Sequence, residues 1–269
     1  MAVADFLGKV AAVTGAGSGM GQALAIALAH RGCSIAIADV NQLGLQETAA
    51  RLSPDAKVST HEVDVADRKQ VEEFAADVAA HHGKVNLVFN NAGVSVTDTA
   101  AHMSYEDFEW LMNINFWGVV YGSKAFLPYL EQVDEAQIVN TASIFGVISV
   151  PTQSAYNASK FAVRGFTYAL REELRDTHIG VSCVQPGGVK TNIVRSSRYT
   201  SSDNVANTKD EFVQRFEAAA RLSPAEAADR ILIGVLKNKA QILVGKDAKL
   251  LALLERIFPV SYCRILRML

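Results

Sequence analysis

Short apolar runs and longer amphipathic stretches alternate along almost the whole chain. Strand-like runs fall at 9–14, 34–39, 57–63, 85–90, 137–141, 180–185 and 241–244, mostly apolar except for the more polar 57–63. Their length and β-branched content fit strands buried on both faces. Between them, apolar residues recur every three or four positions. Such segments run from about Gln22 to Arg31, to about Leu52, from Ala66-Asp67 to about Ala80, from Ser104 to about Tyr129, from Ser154 to Asp176, and from Ser223 to about Lys237. Val71, Phe74 and Val78 illustrate the helical spacing. Strand, helix, strand in regular succession predicts an α/β chain: a doubly wound, seven-stranded parallel sheet with helices on both faces. Residues 1–269 read as one such domain.

The chemistry clusters where runs end. The first run leads into Gly15-Ala16-Gly17-Ser18-Gly19-Met20-Gly21 and then a helix. Glycines let a backbone approach a pyrophosphate, and the helix start offers N–H groups and a positive dipole. The bland alternative is an ordinary glycine-rich turn. Asp39 closes the second run, twenty residues after Gly19, where a carboxylate can accept from both ribose hydroxyls of an adenosine. It would also repel a 2′-phosphate, so NAD is expected rather than NADP. Asp39 or Asn41 could equally start the next helix. Asp64-Val65 and Asn90-Asn91-Ala92-Gly93 end the third and fourth runs, and Asp64 could be an adenine contact or a turn carboxylate. Ser143 follows the fifth run, in the crevice where parallel sheets bind ligands.

Tyr156 and Lys160 stand one helical turn apart. A phenol titrates near pH 10, and an ammonium beside it favours the phenolate. The pair can therefore serve as a general acid/base for an alcohol or carbonyl oxygen. Asn115 is a polar residue in an apolar helical stretch and needs partners if buried.

Composition narrows the classes. With 49% hydrophobic residues and a net charge of −2, a large core is expected and a nucleic-acid footprint is not. Cys33, Cys183 and Cys263 are too scattered for a metal site or disulfide framework. No metal is expected. The first residues read as no signal peptide and no run is long enough for a membrane span, so a cytoplasmic location is the default expectation.

Taken together, Thr14-Gly-x-x-x-Gly19-x-Gly21, Asp39, Asp64-Val65, Asn90-Asn91-Ala92-Gly93, Asn115, Ser143, Tyr156-x-x-x-Lys160 and Pro186-Gly187-x-Val189-x-Thr191 closely resemble the short-chain dehydrogenase/reductases of the simple single-domain kind. The resemblance covers residues 14–191. It implies a Rossmann-type fold, hydride transfer on CH–OH groups, and a tetrad of Asn115, Ser143, Tyr156 and Lys160. In it, Tyr156 passes the proton and Ser143 holds the substrate oxygen. Lys160 lowers the phenol pKa and grips the nicotinamide ribose. Asn115 supports a water chain through a local helix irregularity. It further implies that Gly15, Ser18, Gly19, Met20 and Gly21 line the pyrophosphate, Asp39 the ribose and Asp64 and Val65 the adenine. Asn91, Ala92 and Gly93 back the cofactor, and Pro186, Gly187, Val189 and Thr191 cover its nicotinamide. A homotetramer or dimer is implied too.

Residues 192–222 match no motif, and the resemblance makes them a substrate lid. Phe145 and Gln153, with Ser143 and Tyr156, are expected substrate contacts. Val94 to Asp98, Ile144 and Val150 are further wall candidates, and their apolar character suggests an apolar secondary alcohol or ketone. Ser223-Pro224-Ala225-Glu226 has the form of a helix start. The tail 246–269 mixes Leu250, Leu251, Leu253, Leu254, Ile257 and Phe258 with Arg264 and Arg267, ahead of Met268 and Leu269. It reads as a pair of amphipathic helices closing a subunit interface or roofing the pocket, with a basic membrane-surface anchor as the alternative. The competing functional reading is a catalytically silent dinucleotide-sensing regulator, which would be expected to lack Tyr156 or Lys160. A dehydratase or epimerase on the same scaffold needs acid/base groups the tail does not supply.

Overall fold

A computed structural model describes residues 3–53, 56–199 and 208–266. Arg267, Met268 and Leu269 of the tail, and 200–207 within the expected lid, lie outside the described residues. In chain order the elements are β1 (Val10–Thr14), α1 (Gly19–Ala29), β2 (Ser34–Asp39), α2 (Gln42–Ala50), β3 (Val58–Glu62), α3 (Arg68–His82) and β4 (Leu87–Asn90). Then come β5 (Val96–Thr97), α4 (Tyr105–Met112), a π-helical turn (Asn113–Trp117), α5 (Gly118–Leu130), β6 (Ala136–Thr141), a 3-10 turn (Ile144–Gly146) and α6 (Ser154–Glu173). Last are β7 (Ile179–Pro186), β8 (Arg198–Tyr199), α7 (Lys209–Ala219), α8 (Pro224–Leu236), β9 (Gln241–Val244), α9 (Lys246–Ile257) and α10 (Tyr262–Leu266).

Seven strands form one sheet in the order β3-β2-β1-β4-β6-β7-β9, and every pairing is parallel. The strand side chains alternate between the two faces, as a two-residue repeat requires. Ala11, Val13, Ile35, Ile37, Leu87 and Phe89 pack with Leu24 and Leu28 of α1 and Ile231 and Leu232 of α8. Val10, Ala12, Ala36, Val88 and Ile138 pack with Val71, Phe74 and Val78 of α3 and Phe126 and Leu130 of α5. Phe74 meets Phe126 edge-on at 5.4 Å between ring centres. The alternating apolar runs thus cover both faces of one sheet, which is the doubly wound fold expected from the sequence.

The chain leaves β1 outward through β2 and β3, returns to β4 beside β1, and then proceeds to β6, β7 and β9. A crevice opens beyond the strand C-termini at that reversal. Thr14 and Asn91 fix its floor. The Thr14 hydroxyl accepts from the amides of Asn91 (3.0 Å) and Ala92 (3.2 Å), and the Asn91 side chain donates to the Thr14 carbonyl at 3.1 Å.

Side-chain caps start several helices where the residue types predict. Asn41, rather than Asp39, caps α2 by accepting from the Gly44 amide. Asp67 caps α3, and Ser223 with Glu226 makes a reciprocal capping box behind Pro224 on α8. The single helix read over 104–129 is three pieces, α4, the π turn and α5. Within the expected lid, β8 pairs with β5 in parallel and α7 forms a further helix, so part of this segment carries regular structure that its polar sequence did not suggest. No helix among the described residues is long and apolar enough to cross a membrane.

Candidate active site

The groove at the strand ends holds about 250 Å³ and is lined by Gly15, Ser18, Gly19, Met20, Asp39, Asp64, Val65, Asn91, Ala92, Gly93 and Thr191, among others. It continues through Met20, Asn91, Gly93 and Thr191 into a cavity of about 800 Å³. Ser143, Phe145, Gln153, Tyr156, Lys160, Pro186, Gly187 and Val189 line that cavity. Positions drawn from seven separate sequence segments therefore meet in one continuous space.

One position expected at the ligand, Gly21, lies elsewhere. Gly21 is buried in the first turn of α1, where an added Cβ would collide with the Gly15 carbonyl. Its smallness lets the helix close on the loop, and it does not face the groove. Asn115 is fully buried in the π turn. Its side-chain oxygen accepts from the Val94 amide at 2.8 Å, and its amide donates to the Val94 carbonyl at 3.0 Å and to Ser159 at 3.2 Å. Asn115 thus pins the strand-end loop to α6. The wider π turn is what presents it there.

The groove fits a dinucleotide. Gly15 has φ 67° and stands so near Ala92 that a Cβ would lie 2.7 Å from its Cα. Only glycine leaves that space open. Unlike α2, α3, α4, α7 and α8, helix α1 has no side-chain cap, and its first turn holds no acidic residue. Its free N–H groups and dipole suit a phosphate. The Asp39 carboxylate accepts from the Gly17 amide through Oδ2 and from the Asn41 amide through Oδ1, both at 2.9 Å. Each oxygen keeps a lone pair for a further donor. The groove lining contains no Lys or Arg. Asp64 lines the groove and also accepts from the Ala66 amide at 2.9 Å, so both of its expected roles are compatible.

In the cavity, Ser143 follows β6, caps the 3-10 turn and accepts from the Phe145 amide at 3.1 Å. Phe145 meets the Tyr156 ring edge-on at 6.2 Å. Lys160 is 2% exposed, donates to the Thr141 carbonyl at 3.0 Å, and lies 5.7 Å from the centre of the Tyr156 ring. Burial raises Tyr156 to about 12, against a smaller lowering by its hydrogen bond with Ser143. Burial also lowers Lys160 to about 8. This departs from the expected lowering of the phenol by Lys160. The protein environment disfavours both charged forms, and the ammonium is directed at a backbone carbonyl.

Gln153 lines the cavity, yet its amide is engaged. It donates to the Thr97 hydroxyl at 3.0 Å, and its oxygen accepts from Ser95 at 3.4 Å. Of the other wall candidates, Ile144 and Val150 line the cavity as expected. In the 94–98 stretch only Ser95 and Thr97 do, while Val94 borders the groove instead. Phe212, Arg215 and Phe216 of α7 and Leu251 of α9 complete the walls. The i, i+4 spacing of Phe212 and Phe216 was the available sequence signal for α7. Cys33, Cys183 and Cys263 are free thiols, and the described residues contain no cluster suited to a metal ion.

A parallel doubly wound sheet with a dinucleotide-type groove running into a Ser–Tyr–Lys cavity defines a nicotinamide-type oxidoreductase scaffold. The family model for short chain dehydrogenase matches residues 9–202. The Mycobacterium tuberculosis protein SadH, named as an oxidoreductase, is 42% identical over 267 residues, covering 98% of this chain and 95% of that one. Human estradiol 17-beta-dehydrogenase 11 is 31% identical over 264 residues, covering 97% and 82%. A short chain dehydrogenase/reductase from Burkholderia phymatum, solved with NAD, superposes with a TM-score of 0.87 at 32% identity, each chain covered to 94%. The chain belongs to the short-chain dehydrogenase/reductase family, and it is an oxidoreductase of that kind.

Proposed function

We propose that the protein is an NAD-dependent dehydrogenase/reductase interconverting an apolar secondary alcohol and its ketone. The observation that carries this reading is the continuity of the Asp39 groove with the large cavity lined by Ser143, Tyr156 and Lys160. Nicotinamide bound in the groove supplies or accepts the hydride. Tyr156 donates or receives the proton at the substrate oxygen, and Ser143 bonds the same oxygen and stabilises charge developing there. Lys160, low in pKa and hydrogen-bonded to Thr141, is placed to grip a ribose hydroxyl and to supply a positive charge when protonated. Asn115 acts on these groups indirectly, by holding Val94 and Ser159. All four expected members are present, which disfavours a silent dinucleotide sensor.

Asp39 and the absence of a cation in the groove lining favour NAD over NADP. The apolar walls, including Phe145, Phe212, Phe216 and Leu251, favour a hydrophobic substrate. One relative is named for estradiol, a bulky apolar alcohol. Residues 192–222, with α7 over the cavity, serve as the substrate lid within one domain spanning 1–269. The proposal has the protein in the cytoplasm as a homodimer or homotetramer. The half-exposed Trp117 and Phe161 offer apolar surface for such assembly.

Aliphatic, cyclic and steroid-like secondary alcohols, offered with NAD and with NADP and followed at the nicotinamide absorbance, test the proposal. Turnover of bulky apolar alcohols with NAD is expected. Preference for NADP overturns the reading of Asp39, and turnover confined to small charged alcohols overturns the reading of the cavity.

A further inference from the structure

Helix α9 has two apolar faces, and only one is covered. Ala248, Leu251, Ala252 and Leu254 pack on Ile144, Val147, Ile148 and Tyr262, and Leu251 reaches the cavity. The opposite face carries Leu250, Leu253 and Ile257, which are 65%, 54% and 58% exposed. The spacing of 250, 253 and 257 is that of one helical stripe. Just past the helix end, Phe258 is half-exposed and Val260 is 89% exposed, extending the same apolar surface.

Cations occupy the stripe and one of its edges: Lys246 is exposed among the apolar residues, and Lys249 and Arg256 are exposed along one flank. None of the three has a carboxylate partner among the described residues. Glu255 lies on the opposite side of the helix. Asp247, at the other flank, is turned to the protein and accepts from the Gly188 amide at 2.7 Å. If a two-fold axis paired this face with its own copy, three cations would meet the same three cations. An anionic lipid surface complements both features, because headgroups meet the cations while acyl chains receive the leucines and isoleucine.

We propose that the outer face of α9, extended by Phe258 and Val260, docks the enzyme on the surface of an anionic lipid bilayer. The helix lies in the interface and does not span it. Its inner face walls the large apolar cavity, so the cavity stands about one helix diameter, roughly 10 Å, from the lipid. The inference does not depend on which substrate the cavity takes, and its test reads lipid binding rather than turnover.

The test is co-sedimentation of the full chain with vesicles of phosphatidylglycerol and phosphatidylcholine, compared with phosphatidylcholine alone. The wild type is expected to pellet with the anionic vesicles and to be released by high salt. The triple variant Leu250→Ser/Leu253→Ser/Ile257→Ser is expected to lose roughly tenfold in bound fraction while keeping its thermal transition, because these side chains are mostly outside the core. A second variant, Lys246→Gln/Lys249→Gln/Arg256→Gln, should lose the preference for anionic over neutral vesicles. The proposal is overturned by a wild type that stays in the supernatant with anionic vesicles, or by a serine variant that pellets as well as the wild type. A serine variant that instead dissociates from dimer to monomer, with no vesicle binding by either protein, assigns the face to a second copy and also overturns it.

Discussion

The Lys160 ammonium points at the Thr141 carbonyl oxygen, 3.0 Å away, and stands 5.7 Å from the centre of the Tyr156 ring. The two groups are neighbours on one helix, but the cation is anchored to the end of β6. A strand end thereby sets the position of the lysine, and the lysine's reach toward the phenol and cofactor follows from the sheet.

Replacing Tyr156 with Phe removes the hydroxyl and keeps the ring that packs against Phe145. Turnover is expected to fall about 10²–10⁴-fold, the range of a lost general acid/base. NAD affinity, read by quenching or calorimetry, should change little. Retained turnover would take Tyr156 out of its role. Lys160→Arg should also fail, because a planar guanidinium does not reproduce a compact ammonium in a buried site beside Thr141.

The pH dependence of stability should show the buried groups. Lys160 titrates near 8 when folded and near 10.5 when unfolded. From pH 8 to 10.5 the unfolded chain therefore binds more protons, and this group alone makes stability rise with pH. Cys33 and Cys183 move from 9.0 to about 12, and Tyr156 from 10.0 to about 12. Their contribution is complete below their unfolded values and is lost as pH climbs toward 12. The resulting expectation is a gain between pH 8 and 9 of at most about 1.4 kcal/mol, followed by a decline. Denaturant midpoints at each pH check it, and Lys160→Met should abolish the rise while leaving the alkaline decline.

Acid should weaken the β3–α3 region. Burial holds His82 down at about 4 and lowers His61 as well. Both rings bond the Ser59 hydroxyl, His61 at 2.8 Å and His82 at 3.0 Å. For a base depressed in the fold, the stability it contributes is present above its unfolded value near 6.5 and is lost as pH falls toward the folded value. His82→Gln should flatten the decline in melting temperature between pH 6.5 and 4.

A buried amide pair ties the centre of the sheet to its helices. Asn90 donates to Asn140 at 2.8 Å and to Ser123 at 3.1 Å, and Asn140 donates to Thr167 at 3.2 Å. Asn140→Ala should destabilise by about 1–3 kcal/mol, since it removes a buried acceptor of Asn90 and a buried donor to Thr167. Asn140→Ala/Asn90→Ala should lose less than the two single losses added, a non-additivity that urea titrations can measure.

Periodicity and strand-end chemistry carried most of the fold and much of the site. The runs at 34–39 and 241–244 coincide with β2 and β9, and Val71, Phe74 and Val78 do face the core. Buried parallel strands write themselves as uninterrupted apolar residues, and glycine-rich turns are local features. What stayed hidden depends on distant partners. Nothing near Lys160 in the chain says that its ammonium meets Thr141, and nothing near Gln153 says that Ser95 and Thr97 occupy its amide. Gly21 and its neighbours Gly15 and Gly19 look equivalent in the sequence. Only packing separates the glycine that lines the groove from the one that admits a helix. The polar segment around α7 concealed a helix whose Phe212 and Phe216 wall the cavity.

The π turn at Asn113–Trp117 holds one residue more than a regular helix of the same height. Deleting a single residue there would restore ordinary hydrogen bonding, yet it would rotate one half of the rod against the other by about 100°. Asn115 would then swing off Val94, or Ser123 would swing off Asn90. A length polymorphism of one codon, harmless in most surface helices, is here incompatible with keeping both ends of the rod in register.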